Sequence, residues 1–177
     1  ICVQMNKSSP IGSVSPTRLA ELEKRTGHKF SNRERLERAL THSSAKNRTG
    51  NDYQRMEFLG DRVLGLCIAE LLFSNFPSAN EGELSVRLNA LVNADTLAEV
   101  ADEIGLHEFI RTGADVGDLT SDRQKNMRAD VVESLIATIY LDGGLDAANA
   151  FIKRYWSERS MHQMAARRDA KTELQEW

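Results

Sequence analysis

The chain has 177 residues, of which 41% are hydrophobic, so it is long enough for one domain with a substantial core and short for two. Its net charge of −3 argues against a long basic surface that grips nucleic acid unaided, although a local basic patch or bound metal ions could still do so. Two cysteines are too few for a disulfide framework, and no run of about 18 uncharged apolar residues predicts contact with a membrane, so a cytoplasmic setting is expected.

The chain opens with a polar segment that is followed by a well-marked helix. Residues 1–14 show no hydrophobic periodicity and are predicted to be a disordered leader. Ser15 is then expected to cap a helix that has Pro16 in its first turn and ends at Gly27. These signals place the start of the folded domain near residue 15.

A short helix, a loop and a long helix are predicted next. Ser31 and Glu34 stand three residues apart, the spacing of a capping box, and are expected to start the short helix. Small polar residues across 42–52 predict a loop. The long third helix is expected over residues 53–75, with Pro77 closing it.

The middle of the chain predicts two further helices and a loop. Acidic residues at Glu81 and Glu83 precede leucines at helical spacing, and they suit the positive end of a helix dipole. Asn93 is expected to cap a fifth helix that stops at Gly105. Residues 111–123 are rich in Gly, Asp and Thr and predict an exposed loop.

A central helix is predicted over residues 127–141, because apolar residues occupy almost every side of it and leave no polar face. Residues 142–144, Asp-Gly-Gly, are expected to end it before a last long helix that carries Phe151 and Trp156. Since no convincing strand is found, the predicted class is all-α.

One pair of carboxylates lies at the head of an apolar stripe in the third helix. Glu57 and Asp61 are four residues apart and therefore share a helix face, which continues through Leu64 and Ile68. A helix normally turns such a stripe toward the core, where an ionised carboxylate is costly unless it is compensated. A positive partner is therefore expected nearby.

A second acidic pair lies in the central helix. Asp130 and Glu133 share a face with the small residues Ser134 and Ala137, which would let another helix approach closely. If the two acidic helices pack face to face, four carboxylates converge and repel one another. A hard divalent cation would relieve that repulsion, and Mg²⁺ prefers such oxygen ligands.

Two other interpretations of the acidic pairs remain open from the residues alone. Each pair could be a solvated helix face with ordinary ion pairs to Arg55, Arg62 or Arg128. A di-iron bundle is a weaker alternative, because no histidine lies three or four residues from any of the four carboxylates.

Four blocks of the chain, taken together and in order, resemble the ribonuclease III family. They are RMEFLGDRVL at 55–64, ALTHSS at 39–44, EGELS at 81–85 and ADVVESLIATIYLDGG at 129–144. The resemblance covers about residues 16–160. It implies the ribonuclease III endonuclease-domain fold, a multi-helix bundle that forms a homodimer, over residues 15–160. Residues 161–168 would be a linker, and DAKTELQEW at 169–177 resembles the start of a double-stranded-RNA-binding domain, here truncated.

The resemblance also implies an activity and a set of site residues. The expected reaction is Mg²⁺-dependent hydrolysis of double-stranded RNA to 5′-phosphate and 3′-hydroxyl ends, with Mn²⁺ as a substitute ion, in rRNA and mRNA processing. Glu57, Asp130 and Glu133 match the family's metal ligands, and Asp61 and Glu133 match its catalytic residues. Phe58 matches an aromatic knob that enters a socket on the other subunit, and no membrane partner is expected.

Two further positions qualify this expectation. Glu81 matches an acidic position near the active-site valley, to which a secondary role is assigned. Gln54 stands where many members of the family have glutamate, which puts any contribution of a carboxylate there in doubt. The competing functional hypothesis is a non-catalytic helical dimer that scaffolds RNA or a ribosomal complex.

Overall fold

The structure, a computed structural model, describes the backbone of residues 14–42, 50–112 and 120–175, and side chains within 14–42, 53–112 and 120–162. Most of the predicted leader, residues 43–49 of the predicted loop at 42–52, residues 113–119 of the predicted loop at 111–123 and the last two residues therefore lie outside the described residues. In the described part the chain forms α-helices, one short 3-10 helix and no strand. The all-α prediction is confirmed.

Six α-helices follow one another within the described ranges. They are α1 (Pro16–Thr26), α2 (Arg33–Ala39), α3 (Gly50–Asn75), α4 (Glu81–Leu91), α5 (Ala94–Ile104) and α6 (Ser121–Gln175), with a 3-10 helix at Leu106–Glu108 between the last two. The long α6 is interrupted at Gly144, whose φ of 78° and ψ of −173° are not helical. The predicted break at 142–144 is thus present, while the helix starts earlier than expected and its backbone continues through the predicted linker.

Local capping signals set the ends of α1 and α5 as predicted. The side chains of Ser15 and Asn93 each accept a hydrogen bond from a backbone N–H three residues further on. Gly27 and Gly105 end the two helices in the left-handed region, at φ values of 71° and 73°. Glycine is favoured there because it has no Cβ to clash with the backbone.

The predicted capping box of α2 is wrong. Asn32 is the N-cap, and its side-chain oxygen accepts a hydrogen bond from the Arg35 backbone N–H at 2.9 Å. Ser31 instead donates its backbone N–H to the Asp142 carboxylate at 2.7 Å, and its hydroxyl donates to the same carboxylate. Asparagine caps helices as well as serine does, so a tertiary partner for Ser31 decides the choice.

The core is built around α3 and the first half of α6. Val131, Val132, Leu135, Ile136 and Ile139 are fully buried, which confirms the central helix. The helix is not buried along its whole length, however, because Leu141 at its end is 48% exposed. Residues 121–162 are long and apolar enough to span a membrane by length and composition alone, but these buried side chains make α6 the core helix of the bundle.

Candidate metal centre

The backbones of α3 and α6 come into direct contact at Gly60. A Cβ atom built on Gly60 would lie 2.5 Å from the Glu133 carbonyl carbon and closer still to its oxygen, so no side chain fits at this position. By contrast, a Cβ atom on Gly65 would meet nothing within 4 Å. Gly60 therefore permits the close helix packing that the two acidic pairs require.

This contact brings three of the four predicted carboxylates together. One oxygen each of Glu57, Asp130 and Glu133 lies within 4.8 Å of the others, and all three residues are partly buried. Among the described residues, none of the three forms an ion pair with lysine or arginine. No described lysine or arginine therefore balances the negative charge of the cluster through an ion pair.

Asp61, the fourth carboxylate, borders the cluster without joining it. Its Oδ2 accepts a hydrogen bond from the Arg62 guanidinium at 2.6 Å. The charge of Asp61 nevertheless raises the pKa of Glu57. Among the charges that raise the pKa of Glu133, that of Asp61 has the largest effect. The surface ion-pair interpretation thus fits Asp61, whereas Arg128, another candidate partner, lies instead beside Asp102 at 3.4 Å.

Burial and mutual repulsion make the three clustered carboxyls hard to ionise. Burial, followed by the charge of Glu57, raises the pKa of Asp130 to about 6. Burial, followed by the charges of Asp61, Glu57 and Asp130, raises the pKa of Glu133 to about 8, and the pKa of Glu57 is also raised. A bound cation would oppose each of these effects, since it favours the ionised form.

The donor set suits a hard divalent cation. All three groups are carboxylates, and neither histidine nor cysteine joins the cluster among the described residues. Oxygen ligands with room for water and substrate phosphate are typical of Mg²⁺ and Mn²⁺, whereas zinc and di-iron sites usually include histidine or cysteine. The di-iron alternative therefore finds no support in the described part of the chain.

Two hydroxyl groups beside this cluster were not predicted as part of the site. The hydroxyl oxygens of Tyr53 and Ser134 are buried, and neither has a hydrogen-bond partner within the described residues. Tyr53 lies one helical turn before Glu57, and Ser134 lies one turn after Asp130. That spacing could have indicated that both hydroxyls lie near the carboxylates. A buried tyrosine at the start of a core helix, however, is normally interpreted as a packing residue.

Phe58 is exposed on the opposite side of α3 from the core. It is 63% exposed, and the Arg62 guanidinium lies 5.1 Å from its ring centroid. It borders a cavity of about 520 Å³ that α2, the start of α3 and Leu141 enclose. Leu66 and Phe73 continue the exposed apolar surface along the same face of α3.

Gln54 and Glu81 are both exposed and lie outside the carboxylate cluster. One carboxylate oxygen of Glu81 accepts a hydrogen bond from the Ser85 hydroxyl at 2.9 Å, within the first turns of α4. The secondary role assigned to Glu81 stays a prediction.

Comparisons with known proteins give a consistent result. A family model described as Ribonuclease-III-like matches residues 32–159. Among curated proteins, the Ribonuclease 3 of Brucella canis is 63% identical over 98% of this chain and 72% of its own length, and that of Brucella suis is equally similar.

Solved structures share this fold. The nuclease domain of ribonuclease III from Campylobacter jejuni superposes with a TM-score of 0.70 at 31% identity, over 79% of this chain and 94% of that one. A second structure of that domain gives 0.69 at 31% identity, over 78% and 99% of the two chains, and its description concerns a flexible region involved in dimer formation. The Dicer of Pichia stipitis, at 24% identity and a TM-score of 0.55, over 73% of this chain and 56% of its own, shares the fold alone.

Proposed function

This chain is an endoribonuclease of the ribonuclease III family, and we propose that it cleaves double-stranded RNA with Mg²⁺ held by Glu57, Asp130 and Glu133. The observation that carries this proposal is the cluster of three partly buried carboxylates, none of which forms an ion pair with a described lysine or arginine. Such a cluster destabilises the fold unless a positive ion occupies it. Mn²⁺, which also takes oxygen ligands, would serve as a substitute.

The reaction is an in-line attack of water on a phosphodiester. Bound Mg²⁺ would lower the pKa of a water molecule and offset the charge that develops on the phosphate and the leaving 3′ oxygen. Glu57, Asp130 and Glu133 would hold the ion, and Glu133 would also orient the attacking water. Asp61, beside Glu133 and tethered to Arg62, is the second catalytic carboxylate. The expected products carry 5′-phosphate and 3′-hydroxyl ends and two-nucleotide 3′ overhangs.

Gly60 supports this mechanism through its position. The two acidic pairs belong to different helices, so their separation depends on how closely α3 and α6 pack. A side chain at Gly60 would move the backbone of Glu133 away from Glu57. The catalytic geometry is thereby tied to a single close backbone contact.

The homodimer is proposed to form along the exposed face of α3. Phe58 is the knob, and the cavity of about 520 Å³ beside it, next to Leu141, is the socket that receives the partner's equivalent ring. Exposed Leu66 and Phe73 extend the apolar surface that association would bury. The two-fold pairing would place two metal centres in one enzyme.

The wider setting follows from the family. We propose a cytoplasmic enzyme that processes rRNA and mRNA. Residues 15–160 would form the nuclease domain, and residues 169–177 the beginning of a double-stranded-RNA-binding domain. Since the chain is acidic overall, affinity for RNA should be weak and should fall with salt.

A gel assay with long double-stranded RNA tests the proposal. We expect cleavage with Mg²⁺ at low salt and none with EDTA, and we expect Glu133→Gln and Asp61→Asn to be inactive while they still bind RNA. Full activity of Glu133→Gln would overturn the assignment. The competing hypothesis of a non-catalytic scaffold predicts RNA binding by the wild type without any Mg²⁺-dependent product.

A further inference from the structure

The packing of the core does not explain why the buried residue Tyr53 carries a hydroxyl group. The ring is 6% exposed, belongs to the main apolar cluster and meets the His42 ring edge-on, with 5.7 Å between centroids. Phenylalanine would make all of these contacts. The hydroxyl oxygen, in contrast, is buried without a hydrogen-bond partner among the described residues, an arrangement that costs stability.

The surroundings of this hydroxyl indicate what it faces. Burial is the main cause that raises the pKa of Tyr53, and among the neighbouring charges Asp130 acts most strongly, ahead of Glu57 and Glu133. The Ser134 hydroxyl is also fully buried and forms no hydrogen bond of acceptable geometry among the described residues. It lies close enough to the Tyr53 hydroxyl to lower the pKa of Tyr53. Since Ser134 lies one helical turn after Asp130 and acts on Tyr53, both hydroxyls lie near Asp130.

A phenol hydroxyl near a carboxylate is a hydrogen-bond donor with an acceptor at hand. Metal-ligating carboxylates are commonly held by such outer hydrogen bonds, which fix their orientation. Such a role would account for a polar group that is buried yet has no hydrogen-bond partner among the described residues.

We propose that Tyr53 is a positioning residue of the metal centre, whose hydroxyl donates a hydrogen bond to the Asp130 carboxylate when a divalent cation is bound. In the same metal-bound arrangement, Ser134 would support it by donating its own hydroxyl hydrogen to the Tyr53 oxygen. This inference rests on the proposed function, because it assumes that Asp130 is a metal ligand. It adds a residue that the four-carboxylate description leaves out.

Tyr53→Phe tests the proposal, because it removes only the hydroxyl. We expect the affinity for Mn²⁺, measured by electron paramagnetic resonance, to fall about 10- to 100-fold. The Mg²⁺ concentration that gives half-maximal cleavage should rise by a similar factor, with the maximal rate largely preserved. The thermal unfolding midpoint in EDTA should stay unchanged or rise, since the lost hydroxyl has no hydrogen-bond partner among the described residues of the metal-free fold.

Tyr155→Phe is the matched control. The Tyr155 hydroxyl donates to the Arg25 carbonyl oxygen at 2.6 Å, far along the chain from the cluster. Its loss should lower the midpoint in EDTA and leave Mn²⁺ affinity intact, the reverse of the pattern for Tyr53→Phe. Ser134→Ala should weaken Mn²⁺ binding by a smaller factor, and combining it with Tyr53→Phe should add little, because Ser134 acts through Tyr53.

The outcomes separate this inference from the proposed function. If wild type fails to bind Mn²⁺, the metal centre itself is wrong and both proposals fall. If wild type binds Mn²⁺ and Tyr53→Phe binds it equally well, only the role of Tyr53 is refuted. A lower midpoint for Tyr53→Phe in EDTA with unchanged Mn²⁺ affinity would also refute it, because the hydroxyl would then serve the fold alone.

Discussion

Glu133→Gln should make the metal-free protein more stable at neutral and mildly alkaline pH. Glu133 is partly buried among Glu57, Asp61 and Asp130, and burial together with their charges raises its pKa to about 8. Glutamine keeps nearly the same shape without the charge. The substitution that should abolish catalysis is therefore expected to raise the stability of the metal-free fold.

The size of the effect follows from proton uptake. At pH 7 the Glu133 carboxyl stays protonated in the fold, whereas in the unfolded chain its ordinary pKa is 4.5. Binding that proton at pH 7 costs about 3 kcal/mol. Solvent that reaches the partly exposed side chain reduces this to about 1–2 kcal/mol, or about 2–8 °C in the unfolding midpoint.

The pH dependence has a definite sign. Because the pKa of Glu133 is raised on folding, the folded protein binds more protons than the unfolded chain between pH 4.5 and about pH 8. The stability of the metal-free wild type should therefore fall as the pH rises through this window and level off above it. In Glu133→Gln the decline should be shallower, with a part remaining from Asp130, whose pKa of about 6 is also raised.

Thermal unfolding in EDTA across this pH window measures the effect. Glu158→Gln is a suitable control, since it removes an exposed carboxylate from the same helix and should leave the pH dependence unchanged. Added Mn²⁺ should stabilise the wild type more than Glu133→Gln. A Glu133→Gln protein that is less stable than wild type in EDTA at pH 7, or that declines as steeply with pH, would refute the reasoning.

Three other substitutions test the framework of the site. Gly60→Ala should destabilise the fold by about 3 kcal/mol and abolish cleavage, because its Cβ would overlap the backbone of α6. The control Gly65→Ala should instead raise the free energy of unfolding by about 0.5–1 kcal/mol, since its Cβ meets nothing within 4 Å. Equal unfolding midpoints for the two variants would contradict this. Phe58→Ala should shift sedimentation toward a monomer at a concentration where wild type is dimeric, and an unchanged dimer would remove Phe58 from the proposed interface. Asp142→Asn should cost about 1–3 kcal/mol above pH 4, measured by chemical denaturation. Burial acts to raise the pKa of Asp142, but hydrogen bonds from Ser31 and His28 lower it to about 2. The difference in stability between wild type and Asp142→Asn should therefore shrink as the pH falls toward 2. A difference that does not depend on pH would contradict this.

Features set by neighbouring residues were predictable from the sequence. Ser15, Pro16 and Gly27 define α1 because caps and first-turn prolines act within a few residues of the helix end. The faces of Glu57 and Asp130 followed from helical periodicity, and Gly60 made close packing of the two helices plausible. The approach of the two acidic pairs was predictable for these reasons, whereas the assignment of three of these residues as metal ligands came from the family resemblance and stays a prediction.

Features that depend on distant partners were not predictable in this way. Ser31 fits the capping box by spacing, but it pairs with Asp142, which lies 111 residues away in sequence, so Asn32 caps α2. Asp61 shares a helix face with Glu57, yet its carboxylate turns to Arg62, a choice of rotamer that periodicity does not contain. Tyr53 looks like an ordinary core residue until the structure places its hydroxyl beside α6.

The most direct test of the metal centre is a crystal of the protein soaked in Mn²⁺ and measured for anomalous scattering. We expect an anomalous peak between α3 and α6, within coordination distance of Glu57, Asp130 and Glu133. No peak should appear there in a Glu133→Gln crystal soaked in the same way. A protein that cleaves RNA but shows no ion at these three carboxylates, or holds one elsewhere, would contradict the account.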